Sequence, residues 1–347
     1  MAELVLEVKG LQTYYKLDQG IVKSVEHVDL DVHRGKTLCI VGESGSGKSV
    51  TARSILGLVD DPGKIVGGQI LLHPEHDGGA TIDLAKLDSH GKQIRQIRGK
   101  DIAMIFQEPM TSLSPVHTVG NQIEEAVRLH TSASKREARE LAIEALRQVG
   151  IPRPKTRLDN YPFQLSGGMR QRCMIAMALV CKPRVLIADE PTTALDVTTQ
   201  AQILRVIRNL QTTFEMGVVF ITHDLGIVAE IADDVAIMYL GYVVERGTVR
   251  EIFHDPKHPY TRALLRSMPR LGATTGQELN TIRGMVPSPF NRPRACPFHT
   301  RCDSFMPGKC NVIMPPITKL GGDREVRCLL YGEEAEIPLA TIAEARA

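Results

Sequence analysis

One eight-residue stretch, Gly42-Glu43-Ser44-Gly45-Ser46-Gly47-Lys48-Ser49, constrains this chain more than any other. It has the form G-x-x-x-x-G-K-S and sits between the apolar run Thr37-Leu38-Cys39-Ile40-Val41 and a helix expected from Lys48 to about Leu58. A buried strand, a glycine-rich turn and a helix start, in that order, make a phosphate-binding loop. The glycines let backbone N–H groups turn toward phosphate oxygens, and the helix N-terminus adds partial positive charge. Gly42, Ser44, Gly45, Ser46 and Gly47 would shape the cradle. Lys48 would reach the β- and γ-phosphates, and the Ser49 hydroxyl would ligate Mg²⁺. A glycine-rich turn can also be merely structural; the flanking strand and helix select the nucleotide reading.

The rest of the chain fits an α/β fold with a parallel core sheet. Further buried strands are expected at residues 101–106, 184–188, 217–222 and 235–238, separated by helical patterns, which implies βαβ units. Residues 2–33 alternate like paired strands, with a turn at Asp18-Gln19-Gly20, and Gln69-Ile70-Leu71-Leu72 adds another strand. Residues 120–150 read as helical, with Ile123, Val127, Leu141, Ala145, Leu146 and Val149 on one face. Residues 269–316 are rich in Pro, Gly and Cys, show little periodicity, and are expected to form an appended module outside the sheet.

Composition excludes several function classes. The 347 residues carry 42 Lys and Arg against 40 Asp and Glu, so no basic footprint marks nucleic acid as the main partner. The longest apolar run, residues 173–181, is nine residues. A membrane-spanning helix needs about 20. The first residues, Met1-Ala2-Glu3-Leu4-Val5-Leu6-Glu7-Val8, are acidic and alternating, unlike a basic-then-apolar signal peptide. The chain is therefore expected in the cytosol, with any membrane role exerted through a partner. Seven Cys, an odd number, in a reducing compartment argue against a disulfide framework. Cys39, Cys173 and Cys181 fall in expected core, where Cys acts as a small hydrophobe.

Two further motifs carry chemistry. Val185-Leu186-Ile187-Ala188-Asp189-Glu190 is an apolar strand ending in two carboxylates. Parallel strands deliver their C-terminal ends to the ligand crevice. Asp189 suits Mg²⁺, and Glu190 suits a general base or orienter for an attacking water. Leu165-Ser166-Gly167-Gly168-Met169 precedes an Arg-rich helical stretch and offers a second anion-binding helix start, although Ser-Gly-Gly also makes an ordinary N-cap.

The order and spacing of the three motifs, with Ser166 about 120 residues beyond the phosphate loop, resemble the ATP-binding cassette (ABC) ATPases over residues 1–250. The resemblance implies further positions. Gln107 looks like the glutamine that touches Mg²⁺ and the attacking water, and His223 like the histidine that contacts the γ-phosphate. Ala194-Leu195-Asp196 resembles the family's D-loop, and Tyr15, beside Tyr14, stands where an aromatic stacks on adenine. Met169 stands where Gln is commoner. The family sandwiches two ATP molecules between two cassettes, so Ser166, Gly167 and Gly168 would serve the partner's nucleotide. The implied division is an ATPase domain at residues 1–255, with a helical subdomain inserted at about 108–168, and an extension at 256–347.

Phe106-Gln107-Glu108-Pro109-Met110-Thr111-Ser112-Leu113, Glu245-Arg246-Gly247 and Pro256-Lys257-His258-Pro259-Tyr260-Thr261-Arg262 resemble, more narrowly, the dipeptide/oligopeptide importer ATPases. Cys296, Cys302, Cys310 and Cys328 are separated by gaps of 5, 7 and 17 residues, without the C-x₂₋₄-C spacing of zinc sites. The resemblance implies a [4Fe–4S] cluster on this quartet, with zinc or unligated thiols as alternatives and Phe298, His299 and Arg301 as surrounding residues. It also implies partners: a related ATPase in a heterodimer or a second copy in a homodimer, two permease subunits, and an extracytoplasmic substrate-binding protein that selects the cargo. The chain would then sit on the cytoplasmic face of the membrane, with residues 107–120 and the helices up to about 164 against the permease. The same machine could carry an oligosaccharide or nickel. An ABC ATPase acting on nucleic acid or ribosomes usually links two cassettes or inserts long coiled arms; one phosphate loop, one signature and a balanced charge disfavour that class here.

Overall fold

The alternation of the first 33 residues folds as two long antiparallel strands, β1 (Leu4–Leu17) and β2 (Gly20–His33). The computed structural model describes residues 2–75, 79–107, 112–193, 195–268 and 282–332. After β3 (Thr37–Val41), β4 (Gly63–Leu72) pairs with β1 and β5 (Ile82–Asp83) with β4, which gives an antiparallel sheet of order β2-β1-β4-β5. This sheet presents Leu6, Val8, Leu11, Val25, Leu30 and Ile70 to a shared core.

The second sheet holds the site. Around β3 run β6 (Ile102–Ile105), β7 (Val185–Asp189), β8 (Gly217–Thr222) and β9 (Asp234–Tyr239), all parallel, with β3 between β8 and β9. Both faces are covered, as a parallel sheet requires. Leu38 and Ile40 of β3 point into the core shared with the antiparallel sheet, together with Ala52 and Ile55 of the helix Lys48–Ile55. Cys39 and Val41 point the other way, into a core built with the helices Val119–His130, Lys135–Gln148, Gly167–Leu179 and Val197–Phe214. The two-residue period of β3 thus joins two layers through one strand.

One expectation is corrected. Residues 120–150 form two helices, because Ser134 caps the second with a reciprocal bond to Glu137. Leu141 lies 41% exposed, while Ala138, Ala142 and Ala145 pack inward. The described residues of 269–316 form no strand, but the sheet resumes after them. β10 (Tyr242–Thr248) is antiparallel to β9, β12 (Arg324–Val326) pairs with β10, and β11 (Thr318–Gly321) pairs with β12. A hydrophobic strand edge left open invites intermolecular pairing, and β12 covers that of β10. Among the described residues no helix is long and apolar enough to cross a membrane.

The junction into the C-terminal segment is a buried polar knot. Glu245, 1% exposed, accepts from the backbone N–H groups of Lys257 (2.7 Å) and His258 (2.8 Å). His258 Nδ1 accepts from Tyr260 N–H at 3.0 Å and caps the helix Pro259–Arg266. Burial first, then the Arg262 charge, pushes the His258 pKa down to about 3. An unfolded His titrates near 6.5. Above that pH neither state binds the proton; as pH falls toward 3 only the unfolded chain binds it, so stability is lost. Burial pushes the Glu245 carboxyl up, which acts in the opposite sense and is common to wild type and variant. Between pH 7 and pH 5 the wild type should lose about 2 kcal/mol more unfolding free energy than His258→Asn, read by urea denaturation at each pH. Equal losses would show that His258 does not set the acid limb.

Candidate functional site

The glycine-rich loop leaves β3 and turns tightly into the helix Lys48–Ile55. Two glycines are required by close approach. A Cβ at Gly42 would overlap the Met238 carbonyl, and one at Gly47, whose φ is +103°, would overlap the Ser24 carbonyl. Gly45 also has positive φ, +76°, but open space where a Cβ would stand. Lys48 is buried, its ammonium donating to the carbonyls of Gly42 (2.7 Å) and Glu43 (3.1 Å). Burial lowers its pKa, opposed by the charges of Glu190, Asp189 and Glu43. Ser46 Oγ is buried with no hydrogen-bond partner among the described residues. A buried hydroxyl left unmatched in a glycine-rich loop at a helix start is what an oxyanion guest would satisfy.

Across the sheet, β7 brings in the two carboxylates. Asp189, 3% exposed, accepts from Ser49 Oγ at 3.0 Å, so a hydroxyl and a carboxylate share one spot. That oxygen pair suits a hard divalent cation such as Mg²⁺. Burial raises the Asp189 pKa, and the Ser49 bond opposes the rise. Glu190 follows with φ +46°, a left-handed conformation that costs about 1–3 kcal/mol in a non-glycine residue. Its N–H donates to Ile221 O at 3.0 Å, which ties the turn to β8. The turn swings the side chain away from Asp189 toward three partners. Gln107 Nε2 donates to Oε2 at 3.1 Å, Thr193 Oγ1 donates to the same oxygen at 3.1 Å, and His223 Nδ1 lies 3.2 Å from Oε1. With the carboxylate ionised, His223 Nδ1 carries the proton. Residues from the ends of three parallel strands thus meet where such sheets bind ligands.

Other expected residues lie apart from this cluster. Tyr15 packs with Val59 around Gly63, beside Arg53 and Asp60, near the far end of the loop's helix. Tyr14 is engaged elsewhere, donating to Glu26 at 2.7 Å with Lys23 over its ring. Ser166 caps the helix Gly167–Leu179, accepting from Met169 N–H at 3.4 Å. Ser166 and Gly167 are exposed, and among the described residues no hydrogen bond joins Ser166, Gly167 or Gly168 to residues 42–49. Asp196 caps the helix Val197–Phe214; Ala194 and residues 108–111 lie outside the described residues.

Cys296, Cys310 and Cys328 are buried and Cys302 is half-buried. Burial, then the charges of Cys310, Cys328 and Cys302, pushes the Cys296 thiol up to about 12; burial, with Cys302 and Cys310, pushes Cys328 to about 11. Cys296 N–H donates to Cys310 O at 3.2 Å, which brings these two residues together. Among the described residues, however, no three His, Cys, Asp or Glu side chains form a group that could hold a metal ion.

Similarity to known proteins agrees with this geometry. The ABC transporter family profile matches residues 25–193, and that of the oligopeptide/dipeptide transporter C-terminal region matches residues 244–310. A putative peptide import ATP-binding protein of Brucella melitensis is 51% identical over 95% of this chain and 98% of its own length. The dipeptide transport ATP-binding protein DppD of Bacillus subtilis is 48% identical over 96% of this chain and 97% of its own. The chain belongs to the ABC transporter ATP-binding proteins of the peptide and dipeptide importer family. Its cassette superposes on the dimeric MJ0796 cassette with a TM-score of 0.61 and 28% identity, covering 71% of this chain and 99% of that one. A post-hydrolysis MJ0796 dimer bound to ADP and Pi gives the same TM-score at 27% identity, with the same coverage. The ABC cassette fold, with its mixed α/β sheets, is thereby shared.

The cassette's site includes residues the sequence did not single out. Thr193 bonds Glu190, and its place in Pro191-Thr192-Thr193 just after the acidic pair was the available signal. Arg301, read as a neighbour of the cysteines, instead reaches Glu43 of the phosphate loop, 258 positions away, and no local pattern announces that. The loop's strain is measurable. Gly45→Ala should lower unfolding free energy by about 1 kcal/mol, the cost of left-handed backbone alone, and Gly47→Ala by at least about twice that because the Ser24 carbonyl blocks its Cβ. Chemical denaturation of both variants reads the difference; equal costs would mean the loop gives way at Ser24.

Proposed function

We propose that this chain is the ATP-hydrolysing subunit of a peptide importer, working as one half of a cassette pair that drives a membrane permease. The observation that carries the reading is the meeting of Ser49, Asp189, Glu190, Gln107 and His223 beside the glycine loop. In this reading residues 42–49 bind the triphosphate, Ser49, Asp189 and Gln107 serve Mg²⁺, and Glu190 orients and deprotonates the attacking water. His223, whose Nδ1 side faces Glu190, is left with Nε2 for the γ-phosphate. Tyr15 stacks on adenine. Mg²⁺, when bound, neutralises charge on the β- and γ-phosphate oxygens.

A single cassette holds half of each site. The Ser166-Gly167-Gly168 helix start, exposed at Ser166 and Gly167 and with no partner from its own loop, supports its use on the nucleotide of a second subunit. That subunit is a related ATPase or a second copy of this chain. ATP binding closes the pair and hydrolysis releases it, which is the mechanical output. Exposed Val116 and the stacked pair Tyr161 and Phe163 lie on the stretch read as the permease surface. The division at about residue 255 belongs to the same reading, as does the position at the cytoplasmic face beneath two permease subunits, with an extracytoplasmic binding protein choosing the peptide.

The finer claim concerns the quartet Cys296, Cys302, Cys310 and Cys328. Support for a [4Fe–4S] cluster is the count of four Cys in a segment otherwise poor in periodic apolar residues. Four Cys would supply the ligand count that such a cluster needs, and the C-x₂₋₄-C spacing of zinc sites is absent.

Glu190→Gln tests the core reading. Turnover should fall at least about 100-fold while Mg-ATP still binds and a closed pair accumulates, followed by phosphate release and gel filtration. Unchanged turnover would remove Glu190 from the chemistry. Replacing any one quartet Cys by Ser should abolish bound iron and the absorbance near 400 nm; a wild-type chain purified anaerobically without iron would end the cluster claim.

A further inference from the structure

The phosphate loop is not held by the cassette alone. Glu43, its second residue, is gripped on three sides. Its N–H donates to Tyr260 Oη at 2.9 Å, its carbonyl accepts from Lys48, and its carboxylate takes both arms of the Arg301 guanidinium at 2.6 and 3.0 Å. Two of these three holds come from beyond residue 255. Arg301 lies in the turn between Cys296 and Cys302, and its side chain is only 4% exposed. Two further donors are used: Nε bonds Arg283 O at 3.0 Å, and Nη1 also approaches Tyr239 Oη at 3.4 Å. Beneath it Tyr239, Tyr260 and Phe298 pack ring on ring, with centroids 4.7 to 5.3 Å apart. Tyr239 ends β9, next to the Met238 carbonyl that Gly42 touches. The C-terminal segment therefore builds a platform under the loop and clamps it through one carboxylate.

That carboxylate matters electrostatically. Arg301 is the buried partner, at 4% exposure against 26% for Glu43, and a Glu43 left without it would put an uncompensated negative charge in the loop that receives a polyanion. A planar guanidinium meeting both carboxylate oxygens neutralises the charge and sets its direction, which a point charge would not do equally. We infer that Arg301 is a positioning residue for the nucleotide site: acting through Glu43, it makes the cysteine-bearing segment a working part of the phosphate-binding loop. The inference rests on residues 42–49 being the triphosphate cradle.

The test is equilibrium binding of a fluorescent Mg-ATP analogue to the full-length chain, with thermal unfolding of each variant in parallel. Arg301→Gln strands the Glu43 carboxylate and should raise Kd about tenfold. Adding Glu43→Gln removes the stranded charge, so the double variant should recover most of that loss, which no loss of general stability would produce. Arg301→Lys keeps the charge without the fork and should raise Kd about threefold at a wild-type melting temperature; it carries the test if Arg301→Gln does not fold. Wild-type affinity in Arg301→Gln or Arg301→Lys, or a double variant as weak as the single one, would overturn the inference. A wild-type chain that bound no nucleotide would instead overturn the cradle reading beneath it.

Discussion

Gly42 and Gly47 lie so close to the Met238 and Ser24 carbonyls that no side chain fits between, and the rest of the site depends on that closeness. It presses the loop onto the end of β9 and onto β2, so the helix behind it starts at a fixed place and its first turn faces the end of β7. Ser49 then meets Asp189, and the left-handed turn at Glu190 sends the next carboxylate elsewhere, to Gln107 and His223. Two adjacent carboxylates thereby occupy different surroundings. One is buried against a hydroxyl and the other is shared among amide, hydroxyl and imidazole. Metal binding and water activation call for that difference.

The sheets explain why the closeness survives thermal motion. β3 carries the loop and is buried on both faces, with β8 and β9 on either side. Its odd and even residues lock into separate cores, so tilting the strand disturbs both. The C-terminal segment reinforces the same point from outside. β12 continues the sheet past β10, Glu245 and His258 fasten the following helix, and Tyr260 and Arg301 of that segment return to Glu43.

The sequence made the nucleotide half of this legible because its signals are local. The loop motif, the acidic strand end at Asp189 and Glu190, and the glutamine and histidine after β6 and β8 are each written within a few residues of a buried strand. Parallel topology then brings strand ends together with no further information. What stayed hidden is long-range or depends on side-chain competition. Leu141 has helical spacing but lies outside because three alanines on the neighbouring face pack more closely. The strand Arg324–Val326 is three residues long, too short for any period, and exists because β10 offers it an edge. Arg301 sits among cysteines in sequence but answers a carboxylate in a different layer.

The central claim is that residues 42–49, with Ser49 and Asp189, grip a magnesium-bound nucleoside triphosphate. Calorimetric titration of the purified full-length chain with ATP, with and without Mg²⁺, tests it most directly. One ATP per chain should bind, more tightly with Mg²⁺ than with EDTA, and the Mg²⁺ advantage should vanish in Ser49→Ala. Binding that ignored Mg²⁺, or no binding even with the partner ATPase and permease present, would contradict it.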